Sequence, residues 1–400
     1  MKYVVIQGDG MSDYPVDSLG GLTPLEKART PNLDRMASGG RLGLTKTIPA
    51  GYPPGTDVGT MSILGYDPAR YHTGRSPIEA ASMGVELGES GVAFRCNLVT
   101  IAERDGQRVM EDFTAGHVSS EDAAEIVSAL QTELGGGDIE FHPGVSYRHL
   151  MVWRGGPSTM RTVPPHDITD QAVGGHLPRG EGEKTLRDLA ARARGVLSRH
   201  PVNAARLERG EKPVTDIWLW GQGKKPSLPT LAERFGVEGG VITAVDVVAG
   251  LCRLAGLERV EVPGVTGFVD TNYRGKGEYA LRSLEKGDFV FVHVEAPDEC
   301  GHMGDPGLKV QAIEDLDEKV IGTILDGLDR FGSWRMMVLP DHATPVSTKT
   351  HSADPVPFVI MGSNPSGHGD RRFSESEALA TGDLVEEGHR LIGQFLDGAR

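Results

Sequence analysis

Short apolar runs, each closed at once by polar, turn-forming residues, recur along the chain. Tyr3-Val4-Val5-Ile6-Gln7 runs into Gly8-Asp9-Gly10, and Asp216-Ile217-Trp218-Leu219-Trp220 into Gly221-Gln222-Gly223. Val241-Ile242-Thr243-Ala244-Val245 meets Asp246, and Phe289-Val290-Phe291-Val292-His293-Val294 meets Glu295-Ala296-Pro297-Asp298. Met336-Met337-Val338-Leu339 meets Pro340-Asp341-His342. Runs this uniformly apolar predict strands buried on both faces. Helical spacing lies between them, at Leu228 to Arg234, Asp246 to Leu254 and Val310 to Leu328. Strands alternating with helices predict an α/β protein with a mostly parallel sheet and helices on both faces. In such sheets function gathers at the carboxyl ends of the strands, where the acidic and histidine residues just named fall.

From about Gly91 to His176 the pattern changes. Val92 to Thr100, a turn at Arg104-Asp105-Gly106, a helix over Ser120 to Leu134 and a strand over Tyr147 to Trp153 predict a small inserted α+β unit. Residues 174–183, rich in Gly, Pro and charge, read as the return linker. The expected division is a catalytic domain of residues 1–88 and 180–400 and an inserted domain of 89–179. The insert is expected to act as a lid and to bind substrate, hinged near Gly88–Gly91 and Gly174–Gly182.

Charge and composition narrow the function. A formal net charge of −15 argues against sequence-independent nucleic-acid binding, which needs a cationic surface. An anionic small molecule stays possible, because local arginines and a bound metal can reverse the sign inside a cleft. Three well-separated cysteines (Cys96, Cys252, Cys300) argue against a disulfide framework and for a reducing compartment. Met1 to Ile6 is too short an apolar run for a signal peptide, and no run approaches the ~18 apolar residues that span a bilayer. A soluble, cytoplasmic protein with no membrane partner is expected.

Five places carry candidate chemistry. Asp298 and His302 stand four apart, so one helical face presents both. Asp341 and His342 follow a buried strand. His351 precedes Asp354-Pro355-Val356-Pro357, whose prolines hold the local backbone. Asp9 closes the first strand between two glycines, which allow close approach of backbone to a ligand. Thr56, after Pro53-Pro54-Gly55, stands where a helix starts, and a helix N-terminus favours a phosphate. Each alone has an ordinary explanation, as a cap, a turn residue or a solvated side chain. Together they put carboxylates, imidazoles and one hydroxyl at several strand ends of one sheet. Such mixed ligation suits Mn²⁺ or Zn²⁺ better than an all-oxygen Ca²⁺ or Mg²⁺ site, and two ions about 4 Å apart can drive phosphoryl transfer.

The order and spacing of these motifs resemble the archaeal-type cofactor-independent phosphoglycerate mutases of the alkaline phosphatase superfamily, a family that includes a bacterial sub-branch proposed as homoserine kinases. The resemblance rests on Gly8-Asp9-Gly10-Met11-Ser12-Asp13, Pro54-Gly55-Thr56-Asp57-Val58, Leu64-Gly65-Tyr66-Asp67-Pro68 and Gly74-Arg75-Ser76-Pro77-Ile78-Glu79-Ala80. It continues through Asp298 to His302, Pro340-Asp341-His342 and His351. It implies an alkaline-phosphatase-like core and two divalent ions, Mn²⁺ first and Zn²⁺ or Mg²⁺ otherwise. Asp9, Thr56, Asp341 and His342 would hold one ion; Asp298, His302 and His351 would hold the other. Thr56 would be the nucleophile, where the mutases generally carry serine; other branches of the superfamily use threonine.

The implied reaction passes the phosphoryl group of 3-phosphoglycerate to Thr56 and returns it to the 2-oxygen. Holding the small phosphorylated metabolite requires cations, and arginine suits bidentate anion binding. Arg75, Arg95, Arg148 and Lys276 are the candidates, with His117, His166 and Asp167 on the inserted unit. The alternatives are a homoserine kinase, a metal-dependent phosphatase, and a metal-stabilised binding scaffold. Gly221-Gln222-Gly223-Lys224-Lys225 lacks the glycine spacing and final hydroxyl of a phosphate-binding P-loop, which favours the mutase over the kinase. The intact set of ligands and hydroxyl favours an enzyme over a scaffold.

Overall fold

The computed structural model describes residues 1–365 and 369–397. Its strands are β1 (Lys2–Gly8), β2 (Arg41–Thr45), β3 (Gly91–Arg104), β4 (Gln107–Asp112), β5 (Ile139–Val145), β6 (Arg148–Arg154), β7 (Asp216–Lys224), β8 (Gly239–Ile242), β9 (Glu258–Arg259), β10 (Phe289–Val294), β11 (Trp334–Leu339), β12 (Val356–Gly362) and β13 (Leu384–Val385). The chain divides into two compact units, Met1–His72 with Ser227–Arg400 and Thr73–Pro226.

The larger unit is built on an eight-stranded sheet in the order β13-β2-β12-β11-β1-β10-β8-β9. β11, β1, β10, β8 and β9 run parallel, while β12 is antiparallel to both its neighbours. β1 lies between β10 and β11, with Gln7 opposite both His293 and Leu339. The carboxyl ends of β1, β10 and β11 therefore open on one edge, and the amino end of β12 joins them there. All six residues of β10 are buried, as expected of a central strand. The helices Asp246–Leu254 and Tyr273–Lys286 belong to this unit. The expected run Val310 to Leu328 is a helix over Pro306–Asp315, a π-helical stretch over Leu316–Gly322 and a helix over Thr323–Leu328. Among the described residues no helix is long and apolar enough to cross a membrane.

The smaller unit is larger than expected from sequence. Its antiparallel sheet runs β4-β3-β6-β5, and β7 pairs with β3 over Val92 to Val99. The strand at Asp216 to Trp220, expected in the parallel sheet, thus belongs here. Leu186, Leu189, Val196 and Val202 share an apolar core with Val92, Phe94 and Leu98 of β3 and with Ile126 and Leu130 of the Ser120–Leu134 helix. On the opposite face Ala80 packs with Ala93, Leu150 and Val152. These contacts assign residues 73–88 and 180–226 to the smaller unit and correct the expected boundaries of 89–179. The glycine-rich segments near 88–91 and 174–182 lie inside that unit. Residues 174–183 resemble a linker in composition, but the chain beyond them returns to complete the sheet.

Candidate active site

Asp9 follows β1, and Gly10 carries the chain past it with φ +57°. A Cβ on Gly10 would lie 2.4 Å from Asp298 Oδ1, so only glycine lets this loop come against Asp298. Gly10 N–H donates to Asp341 Oδ1 at 3.2 Å. Asp298 and His302 lie on the helix Ala296–Met303 that follows β10, and Asp341 and His342 follow β11. All seven residues expected to ligate, Asp9, Thr56, Asp298, His302, Asp341, His342 and His351, lie in the larger unit.

Hydrogen bonds fix the ring nitrogens. His302 Nδ1 lies 3.0 Å from the Lys349 carbonyl and His351 Nδ1 3.3 Å from the Pro54 carbonyl. Carbonyls only accept, so both Nδ1 atoms carry the proton and both Nε2 atoms carry the lone pair when neutral. His342 Nδ1 is 3.2 Å from Thr344 Oγ1, whose own proton is donated to Asp298 Oδ1. Three imidazoles therefore turn Nε2 inward. His302 and His351 Nε2 stand 3.0 Å apart, a separation natural for two ligands of one ion. Asp298 Oδ2 is 3.1 Å from His302 Nε2, and its Oδ1 is 3.5 Å from His351 Nε2.

A second group surrounds Asp9. The donor atoms of Asp9, Asp341 and His342 lie within 4.8 Å of one another. Asp9 Oδ1, Asp341 Oδ2 and His342 Nε2 are all buried and all lack a hydrogen-bond partner. Three orphaned buried polar atoms converging on one point are costly unless something cationic joins them. The donors, two carboxylate oxygens and an imidazole nitrogen, fit a divalent ion. Burial, together with Asp341, Glu295 and Asp298, pushes the Asp9 carboxyl well above its usual range. Burial also works to raise Asp298, but the His302, His351 and His342 imidazoles around it outweigh that and hold it well below its usual range. The Asp298 carboxylate beside it favours the protonated ring and raises His302 to about 9.

Thr56 is the first residue of the helix Thr56–Ile63. Three contacts bring this helix to the site. Pro54, two residues ahead of Thr56, offers its carbonyl to His351. A Cβ on Gly59 would lie 2.7 Å from the Asp341 carbonyl oxygen, so the helix packs directly on that segment. Thr60 Oγ1 donates to Gln7 Oε1 at 3.0 Å, and Gln7 Nε2 donates to Asp9 Oδ2 at 3.3 Å. Sequence reading missed His293 and Glu295, which form a further acid and imidazole group with Asp9. The signal was available: His293 is the one polar residue in the apolar run of β10.

The smaller unit gathers most of the expected anion-binding residues. Arg75 and Arg95 both lie 3.0 Å from Glu79 Oε1. Arg95 lies 4.8 Å over the Trp220 ring, and Trp220 also meets the His166 ring at 5.6 Å. Arg148 lies 5.7 Å from the Tyr147 ring, which His117 meets edge-on at 6.3 Å. Arg95 is buried with its Nε unpartnered. Burial lowers its pKa to about 10, opposed by Glu79 and assisted by Arg75 and Arg148, so it stays charged at neutral pH. Burial lowers His166, opposed by Asp167 and assisted by Arg95 and Arg75. Asp167 is exposed, 3.5 Å from His166. Lys276 departs from the expectation. It is fully buried in the larger unit and donates to the His293 carbonyl at 2.8 Å, and burial lowers it to about 8.

Residues 37–203 match the family model described as 2,3-bisphosphoglycerate-independent phosphoglycerate mutase. The chain is 51% identical to a probable 2,3-bisphosphoglycerate-independent phosphoglycerate mutase of Geobacter sulfurreducens, over 99% of this chain and 100% of that one. It is 49% identical to the 2,3-bisphosphoglycerate-independent phosphoglycerate mutase of Methanothrix thermoacetophila, over 100% of each. Among solved structures it is similar to the PH0037 protein from Pyrococcus horikoshii, with TM-score 0.84 and 29% identity, covering 99% of this chain and 96% of that one. It is also similar to the cofactor-independent phosphoglycerate mutase of Thermoplasma acidophilum, with TM-score 0.67 and 28% identity, covering 99% of each.

Proposed function

Because the chain belongs to the 2,3-bisphosphoglycerate-independent phosphoglycerate mutase family, we propose that it interconverts 3-phosphoglycerate and 2-phosphoglycerate through a phosphoryl group carried on Thr56. The observation that carries this reading is the convergence of orphaned carboxylate and imidazole atoms beside the helix that begins at Thr56. Asp9, Thr56, Asp341 and His342 would hold one divalent ion, and Asp298, His302 and His351 a second, with Mn²⁺ favoured by the mixed donors. Such ions, when bound, make the Thr56 hydroxyl more acidic and offset the charge of the transferring group.

The chain's own residues account for the rest. In the first half-reaction Thr56 Oγ1 bonds to phosphorus, the bond from phosphorus to the 3-oxygen breaks, and the hydroxyl proton lost by Thr56 ends on that oxygen. In the second, the 2-oxygen attacks the same phosphorus, the bond from phosphorus to Thr56 Oγ1 breaks, and the proton lost by the 2-hydroxyl ends on Thr56. Arg75, Arg95 and Arg148 supply guanidinium groups for the carboxylate and phosphate of the metabolite. The unpartnered Nε of buried Arg95 supports this role, since a desolvated donor gains most from an anion.

The test is a coupled assay of the Mn²⁺-loaded protein, following 2-phosphoglycerate formed from 3-phosphoglycerate without added bisphosphoglycerate. Turnover is expected, lost in Thr56→Ala and largely kept in Thr56→Ser, which retains the hydroxyl. No turnover in a folded, metal-loaded protein would sink the mutase reading, and ATP with homoserine would be tried next. Steady release of inorganic phosphate instead would make it a phosphatase.

A further inference from the structure

His293 differs from the other three imidazoles near Asp9. Their Nδ1 atoms meet groups that must accept. His293 Nδ1 meets Thr243 Oγ1 at 3.0 Å, and that oxygen already accepts the Val245 N–H at 3.0 Å. No other hydrogen-bond acceptor meets that hydroxyl among the described residues, so its proton goes to Nδ1, which leaves the proton of the neutral ring on Nε2. Nε2 lies 2.7 Å from Asp9 Oδ2, a hydrogen-bond distance. The other tautomer would set a bare lone pair against a carboxylate oxygen at that distance. His293 and Asp9 are both fully buried, so this bond is made away from water.

Asp9 Oδ2 thus receives two N–H groups, from His293 and from Gln7, whose amide is oriented in turn by Thr60. Asp9 Oδ1 receives none and lies 3.6 Å from His342 Nε2. We infer that His293 is a positioning residue: its Nε2–H, with the tautomer set by Thr243, engages one oxygen of Asp9 and turns the other toward the group formed with Asp341 and His342. Bonds of this kind orient ligating carboxylates and tune their affinity for metal. The inference rests on the reading of Asp9 as a metal ligand. Its rival is that His293 is itself a ligand, in a third cation group with Asp9 and Glu295, whose buried, unpartnered Oε2 lies 3.4 Å from His293 Nε2.

Mn²⁺ titrations of the full chain, following free Mn²⁺ by electron paramagnetic resonance, separate these cases. The wild type should bind two ions. His293→Leu should still bind two, one of them weakened by about 10–100-fold, with kcat lowered and KM for 3-phosphoglycerate unchanged. His293→Gln, which keeps an N–H donor at a similar reach, should restore most of the affinity. Thr243→Val, a near-isosteric change remote from the ions, should weaken the same ion by a few-fold, so the inference stays testable if His293→Leu does not fold. Three ions in the wild type and two in His293→Leu would overturn the inference in favour of a third site. Unchanged affinity in His293→Leu, with affinity lost in Asp9→Asn, would overturn it alone. Unchanged affinity in both would overturn the reading of Asp9 beneath it as well.

Discussion

A carboxyl group ionises freely at a surface and reluctantly inside a protein, and Glu375 shows the effect away from the ligand groups. Its Oε1 accepts from Asp13 N–H at 3.1 Å and its Oε2 from Thr23 Oγ1 at 2.8 Å. Burial nevertheless raises it to about 7, the hydrogen bonds only partly opposing. A folded pKa above the unfolded one means that its contribution to stability is fully present below the unfolded value and is lost as pH rises through about 7. Glu375→Gln should therefore gain on the wild type by about 1–3 kcal/mol between pH 4.5 and 8. Urea denaturation across that range checks this, and parallel pH profiles for the two proteins would contradict it. Arg95 offers a second test at the same scale. Arg95→Lys keeps the charge but loses the planar fork, so KM for 3-phosphoglycerate should rise by about tenfold, one hydrogen-bonded anion contact being worth about 1.5 kcal/mol. An unchanged KM in steady-state kinetics would remove Arg95 from the anion site.

Among the elements, the helix Pro31–Gly39 takes its cap from elsewhere in the chain. Thr30 precedes it in the ordinary capping position, yet its side chain makes no capping bond. Asp317 does the work instead, from within the π-helical stretch. Its Oδ1 accepts Leu33 N–H at 2.7 Å and its Oδ2 accepts Asn32 N–H at 3.2 Å. Asp317→Ala would strand both amides, so a loss of about 2–3 kcal/mol is expected. Calorimetry should record it as a lower Tm, with kcat at 25 °C unchanged. A Tm equal to that of the wild type would mean that Thr30 or water takes over the cap.

For the molecule as a whole, the crowding of Asp9, Asp298, Asp341 and Glu295 is a cost stored in the fold. Burial, and after it mutual repulsion, hold Asp9 and Glu295 well above their usual pKa range. A cation bound only by the folded state stabilises it by about 2.7 kcal/mol at one hundred times its dissociation constant. Tm should therefore rise with the logarithm of free Mn²⁺ and fall on chelation with EDTA. Asp341→Asn should reverse the pattern, with a higher Tm than the wild type in EDTA and a smaller gain from Mn²⁺. Differential scanning fluorimetry across a Mn²⁺ series decides it, and a Tm insensitive to Mn²⁺ would count against an ion at this group.

The sequence by itself determined the α/β class, the parallel core strands and the residues that could ligate, because these follow from local periodicity and side-chain chemistry. β10 and the helices Ser120–Leu134 and Asp246–Leu254 match their sequence expectation residue for residue. It also singled out Asp9, Asp298, Asp341, His342 and His351 as candidate ligands, since acids and histidines close after or before apolar runs stand out. Tertiary structure alone decided the rest. Nothing local in Asp216 to Trp220 says which sheet it joins; pairing with β3 decided that, and moved the unit boundary to Thr73 and Pro226. Lys276 looks like any helical lysine until its ammonium is seen beneath the His293 carbonyl. His293 reads as one polar residue in a strand until the register of β1 against β10 brings it to Asp9. Pairing between distant segments is a property of the packed chain, and so is the proton position that pairing imposes on each imidazole.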